Sequence, residues 1–125
     1  MSIARIFIAL GSLNAALAVT LGAFGAHGLK SQLTETSLAV YQTGVHYHFY
    51  HALGLILAGI IIMQNTPSVA FKLSGWLMLT GIILFSGSLY LLGITNIRWL
   101  GVITPFGGMA FIIAWLALFA GIIRT

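Results

Sequence analysis

Apolar residues in this chain gather into long runs separated by short polar breaks. From Ile6 to Ala26, between Arg5 and His27, nothing is charged; the same holds from Leu73 to Ile94, between Lys72 and the Asn96 to Arg98 break, and from Trp99 to Ile123. A helix needs about 20 mostly apolar residues to cross a hydrocarbon core about 30 Å thick. These three runs are long enough. A fourth stretch, Ala52 to Met63, is too short alone, so its helix must take in the His- and Tyr-rich segment Val45 to His51. Upstream of it, Thr34 suits an N-cap, and Leu38, Tyr41 and Val45 keep a helical spacing. The second helix is therefore expected to begin outside the hydrocarbon and to bend at Gly44. The pattern predicts one all-α membrane domain over residues 1–125, a compact bundle of four transmembrane helices. Its spans are expected at about 6–27, 45–64, 73–94 and 99–123. Pro105 lacks an N–H and is expected to kink the fourth helix, leaving the Gly101 carbonyl to another donor. The first run exceeds the roughly 7 to 15 apolar residues of a signal peptide, so it is expected to stay as a helix.

Composition agrees. Hydrophobic residues make up 60% of the chain and charged ones 5%, with a mean hydropathy of +1.10, whereas a soluble domain is roughly a quarter charged. A water-soluble domain is excluded, and a lipid bilayer is the expected surrounding. The formal net charge of +4 comes from five scattered cations, Arg5, Lys30, Lys72, Arg98 and Arg124. They form no basic stripe, so no nucleic-acid partner is expected. With four spans, Arg5, Lys72 and Arg124 fall on one side and Lys30 and Arg98 on the other. Lys and Arg near span ends favour the cytoplasmic face, so both termini are expected there. The absence of cysteine excludes disulfides and thiolate chemistry, and the single acid, Glu35, excludes paired-carboxylate catalysis within one chain.

Small residues are arranged in rows. Gly11, Asn14, Ala18, Gly22 and Gly25 share one face of the first helix; Ser74, Gly81 and Ser88 recur every seven residues on the third; Gly107, Ala110, Ala114, Ala117 and Gly121 line the fourth. Membrane helices associate closely through such residues. Any row left over would serve subunit contacts. Trp76, Trp99 and Trp115, near charged ends, read as an aromatic belt.

The polar residues fall toward one side of the membrane. His27 closes the first span, His46, Tyr47, His48 and His51 open the second, Ser86, Ser88 and Tyr90 end the third, and Thr104 and Pro105 begin the fourth. A candidate ligand cavity in that leaflet comprises His27, Tyr47, His51, Ser86, Ser88, Tyr90, Thr104 and Pro105. His46 and His48 point to nearly opposite faces of a helix, so the histidines cannot all hold one ion. No metal site and no cofactor are expected. His27 and His51, expected at similar depth, could pair. Two readings of the buried histidines stay open: hydrogen bonds between helices, and a functional site, since ionisable groups within a membrane are expensive to keep.

These same residues carry a resemblance. Gly22-Ala-Phe-Gly-Ala-His27, Tyr41-Gln-Thr-Gly44 with Tyr47 and His51-Ala-Leu53, Leu84-Phe-Ser-Gly-Ser-Leu-Tyr90, and Thr104-Pro-Phe-Gly-Gly108 with Phe111 and Trp115 resemble the YgdD/YwdK-like family. That is a family of small four-helix bacterial inner-membrane proteins with a eukaryotic transmembrane relative, classed as a domain of unknown function. The likeness covers essentially the whole chain, one motif per helix, and its matching positions include His27, Gln42, Tyr47, His51, Ser86, Tyr90, Thr104 and Pro105. His46 and His48 fall where the family accepts other polar residues. The resemblance implies four spans in the cell inner membrane and no reaction. The expected role is a non-enzymatic multi-pass component that forms a homo-oligomer or supports another membrane protein. The alternative is a channel, carrier or binder of a small or lipidic ligand. An enzyme or haem protein built on His27 and His51 lacks a nucleophile, acid and metal set.

Overall fold

The computed structural model describes residues 1–125 as four helices: α1 (Ile3–Leu29), α2 (Glu35–Gln64), α3 (Val69–Thr95) and α4 (Arg98–Ile123). All four are long and apolar enough to cross a membrane and no strand is present, so the chain is an all-α membrane protein. Polar residues just outside the apolar runs start three of the helices. Ser2 Oγ accepts the Arg5 N–H at 3.3 Å, Thr34 Oγ1 that of Ser37 at 3.1 Å, and Ser68 Oγ that of Phe71 at 3.3 Å. Each cap satisfies an amide that the first helical turn leaves unpaired. Capping thus sets the starts of α1 and α3 at Ile3 and Val69, ahead of the uncharged runs that begin at Ile6 and Leu73. Helix α2 runs unbroken through Gly44, and its 30 residues only slightly exceed the 27, 27 and 26 of the others.

Asn96 ends α3 in the left-handed conformation, φ 57°, with its N–H on Leu92 O. Its side-chain Oδ1 accepts from Ser37 Oγ at 2.8 Å, tying the end of α3 to the start of α2. A 3-10 turn over Arg98–Val102 precedes regular α-helix over Thr104–Ile123. Pro105 therefore stands in the first turn of that regular part, where a missing N–H removes no intrahelical bond. Instead of kinking an established helix, Pro105 opens one. The expected kink is replaced by a change of helix type.

Neighbours in sequence are neighbours in space, α1 on α2, α2 on α3 and α3 on α4. The small-residue rows lie in these crossings. A Cβ on Gly11 would come 2.7 Å from Ala52 O, and one on Gly107 would fall on the backbone of Phe85. Only glycine lets those backbones approach so closely. Opposite Gly25 lies Tyr41, opposite Gly22 Val45, and opposite Gly59 Ala4, which fixes the antiparallel register of α1 and α2. One apolar core spans all four helices, with Phe7, Leu55, Phe71, Met78 and Phe111 among its members. Backbones of α2 and α4 hardly meet; the side chains of Phe111 and Trp115 reach across to α2.

Candidate functional site

The buried face of α2 passes through Tyr41, Gly44, His48, Ala52, Leu55, Gly59 and Ile62 at three- and four-residue steps, with His51 beside it. Both histidines are almost inaccessible, 4% exposed for His48 and 5% for His51. Their surroundings differ.

His48 bridges α1 and α3. Asn14 Nδ2 donates to Leu10 O at 2.8 Å, which turns Asn14 Oδ1 toward His48 Nε2 at 2.9 Å. An amide oxygen only accepts, so Nε2 carries the proton, and His48 Nδ1 accepts from the Tyr90 hydroxyl at 2.7 Å. The Tyr90 ring lies 5.2 Å from that of Tyr41, whose hydroxyl donates to Leu21 O at 2.6 Å. His51 bridges α2 and α4 with the opposite tautomer. Its Nδ1–H donates to Tyr47 O at 2.7 Å, leaving Nε2 to accept from Trp115 Nε1 at 3.0 Å. Its ring stacks on Phe111 with centroids 3.5 Å apart and planes 10° from parallel.

The remaining polar side chains join helices in separate places. Ser86, at the end of a wide π turn over Ile82–Ser86, donates to Gly44 O at 2.8 Å. Ser88 Oγ donates to Phe85 O at 2.9 Å and so accepts from Thr104 Oγ1 at 2.6 Å. Each hydroxyl offers one proton, and these bonds use it.

Depth explains why these groups form no single cavity. Since Gly25 faces Tyr41 and Gly11 faces Ala52, His51 stands level with the Gly11 to Asn14 part of α1. His27, near the end of α1, is exposed and about 20 Å further along the bundle at the rise of an α-helix. His27 and His51 therefore do not pair. Pro105 is exposed at the start of regular α4, and His46 is exposed on α2 beside Tyr50. No three His, Asp or Glu side chains converge. Of the eight residues grouped from the sequence, only Tyr47 and His51 line a common opening. This is a groove of about 410 Å³ between α2, α3 and α4, completed by Phe85, Gly108, Phe111, Ile112 and Trp115.

The sequence reading missed His48, Asn14 and Tyr41 as a network, and Trp115 as a partner of His51. The signal for His48 was present in the Tyr41, Gly44, His48, Ala52, Leu55 spacing, which is the buried face. Nothing local marks Trp115, whose role depends on the register of α4 against α2.

The family model described as "Protein of unknown function (DUF423)" matches residues 21–108 of the chain. The chain belongs to the DUF423 family. The Bacillus subtilis (strain 168) protein named UPF0382 membrane protein YwdK is 49% identical over 120 residues, covering 96% of this chain and 98% of that one. A UPF0382 membrane protein of Staphylococcus saprophyticus is 50% identical over 117 residues, covering 94% and 96%. Another, from Staphylococcus aureus (strain NCTC 8325 / PS 47), is 48% identical over 114 residues, covering 91% and 92%. No solved structure matches. The DUF423 match includes His48, Tyr90, Tyr47, His51 and Phe85 and ends at Gly108, short of Phe111 and Trp115. Membership agrees with the four apolar helices in making this a membrane protein, and the family's description names no reaction.

Proposed function

We propose that this DUF423 protein is a non-enzymatic multi-pass component of the cell inner membrane that self-associates through the outward face of α1. One observation carries the reading. Ala9, Ser12, Ala16, Thr20, Ala23 and His27 follow three- and four-residue steps along α1 and are all exposed, on the side turned away from α2. The outward face of α4 is the reverse: Phe106, Met109, Ile112, Leu116 and Phe119 are bulky and exposed, as lipid contact favours. Small residues let backbones approach where apolar bulk gives no preference over lipid, so this small row, open between exposed Leu13, Leu17 and Phe24 on one side and Val19 on the other, suits a second helix. Ser12 and Thr20 already donate to Ile8 O and Ala16 O, at 2.7 and 2.8 Å, and their oxygens can still accept across the contact. A second copy of the chain is the proposed partner.

Cytoplasmic termini are part of this reading, supported by Arg5, Lys72 and Arg124 on that side against Lys30 and Arg98 on the other. No catalytic role is proposed: His48 and His51 each use both ring nitrogens within the bundle, and the buried Ser74 hydroxyl, which has no partner, makes no bond to a base.

The chain has no cysteine, which makes single-cysteine crosslinking direct. In native membranes under oxidising conditions, Ala16→Cys and Thr20→Cys should form covalent dimers, and Ile112→Cys on the outward face of α4 should not. Equal crosslinking at all three positions, or none at Ala16 and Thr20, would reject the interface.

A further inference from the structure

The groove between α2 and α4 has a composition that selects a ligand. Its walls are aromatic. Tyr47 and Phe111 stand 6.3 Å apart with planes 22° from parallel, and Phe85 packs on both, at 4.7 and 5.5 Å. His51 and Trp115 complete it, and Ile112 and Gly108 line the α4 side. At about 410 Å³ it falls in the size range of small-molecule sites, roughly 300 to 1,000 Å³.

The polar atoms on offer are few. His51 uses Nδ1 on Tyr47 O and Nε2 on Trp115, and the indole N–H is spent on that same bond. What stays free is the Tyr47 hydroxyl, on a residue 40% exposed. The groove thus presents one free hydroxyl, able to donate or to accept, among flat rings. A flat, uncharged molecule suits these walls, and a carbonyl on it would use the proton of the Tyr47 hydroxyl.

Depth narrows the class further. The midpoint of α2 lies between Phe49 and Tyr50, that of α3 at Ile82, and that of α4 between Ala110 and Phe111. Every lining residue is within about 7 Å of its own helix midpoint, measured along the axis. With a hydrocarbon half-thickness of about 15 Å, the groove sits inside the hydrocarbon and below the ester carbonyls of phospholipids. A molecule dissolved in the membrane interior can bring an acceptor to this depth.

We propose that the groove binds the ring of a quinone-class molecule, a flat carbonyl-bearing ring on an apolar tail, with one carbonyl accepting from the Tyr47 hydroxyl. The ring stacks among Tyr47, Phe85 and Phe111, and the tail leaves along Ile112 into lipid. This is binding only; no electron transfer is part of it. It does not depend on self-association through α1, which faces the other way.

Trp115 supplies the readout, since quinones quench indole fluorescence on contact. The protein with Trp76→Phe and Trp99→Phe, in lipid nanodiscs, is titrated with a short-tailed 1,4-naphthoquinone and with the naphthalene bearing the same tail but no carbonyls. Quinone quenching should saturate. Tyr47→Phe should weaken it about threefold to tenfold, the range of one net hydrogen bond. The naphthalene competes weakly and is indifferent to Tyr47→Phe. Gly108→Leu should abolish saturation by filling the groove; a Cβ there meets only the Phe85 ring, at 3.7 and 3.8 Å, so the backbone is undisturbed. Quenching that rises linearly with quinone per lipid and ignores Gly108→Leu would mean partitioning alone and overturn the site. Equal binding of both probes, untouched by Tyr47→Phe, would leave an apolar groove and overturn the quinone assignment. Should the single-tryptophan protein not fold, radiolabelled quinone retained by proteoliposomes over empty liposomes tests the same variants by the same criteria.

Discussion

Replacing His48 by alanine tests the buried network that clamps α1, α2 and α3 together. The change removes two interhelical hydrogen bonds, to Tyr90 at 2.7 Å and to Asn14 at 2.9 Å, and deletes a side chain only 4% exposed. Interhelical hydrogen bonds in membranes average about 0.6 kcal/mol each and reach about 1.7, so the pair accounts for about 1 to 3 kcal/mol. Lost packing adds on the order of 1 kcal/mol, because a bundle with crossings as close as that of Gly11 on Ala52 cannot fully collapse onto the space. His48→Ala should therefore destabilise by about 2 to 4 kcal/mol. Tyr90→Phe removes one of the bonds at nearly constant shape and should cost about 0.6 to 1.7 kcal/mol. In the double variant the second change should add little, since its partner is already gone. SDS-driven unfolding in mixed micelles, followed by circular dichroism, measures all three. Strict additivity, or a His48→Ala protein within about 0.5 kcal/mol of wild type, would refute the network as a source of stability.

Other substitutions separate close crossings and exposed positions from the network. Gly107→Ala should destabilise by about 1 to 3 kcal/mol, because its Cβ meets the Phe85 backbone, while Gly101→Ala, whose nearest neighbour is 3.9 Å away, should not, as unfolding midpoints will show. His27→Ala and His46→Ala, both exposed, should stay within about 0.5 kcal/mol of wild type in the same assay. A reporter fused after Thr125 should read cytoplasmic and one inserted at Gln32 external; the reverse at both positions would invert the orientation.

The four helices were legible because each apolar run is bounded by charges or polar breaks, and Thr34 announced the start of α2 by its capping chemistry. The rows through Gly11, Gly81 and Gly107 were legible too, since close backbone approach demands small residues whatever the partner. Depth was not legible. Hydropathy reads Val45 to His51 as a polar edge, yet His48 and His51 lie deep within a helix that begins at Glu35, because bonds to Asn14, Tyr90 and Trp115 offset the cost of burying imidazoles. Trp115 read as an interface anchor, whereas its N–H is held by His51. Which polar residues meet is decided by the register between helices, and a hydropathy pattern does not contain it.

Self-association through α1 is measured most directly by native mass spectrometry of the protein ejected from its own membranes. The wild-type chain should appear at a multiple of its 13.4 kDa monomer mass. The Ala16→Leu, Thr20→Leu protein should appear at 13.4 kDa alone with its helical content unchanged, since both positions are exposed on the bundle. A wild-type protein found only as monomer, or a variant that keeps the same multiple, would contradict the account.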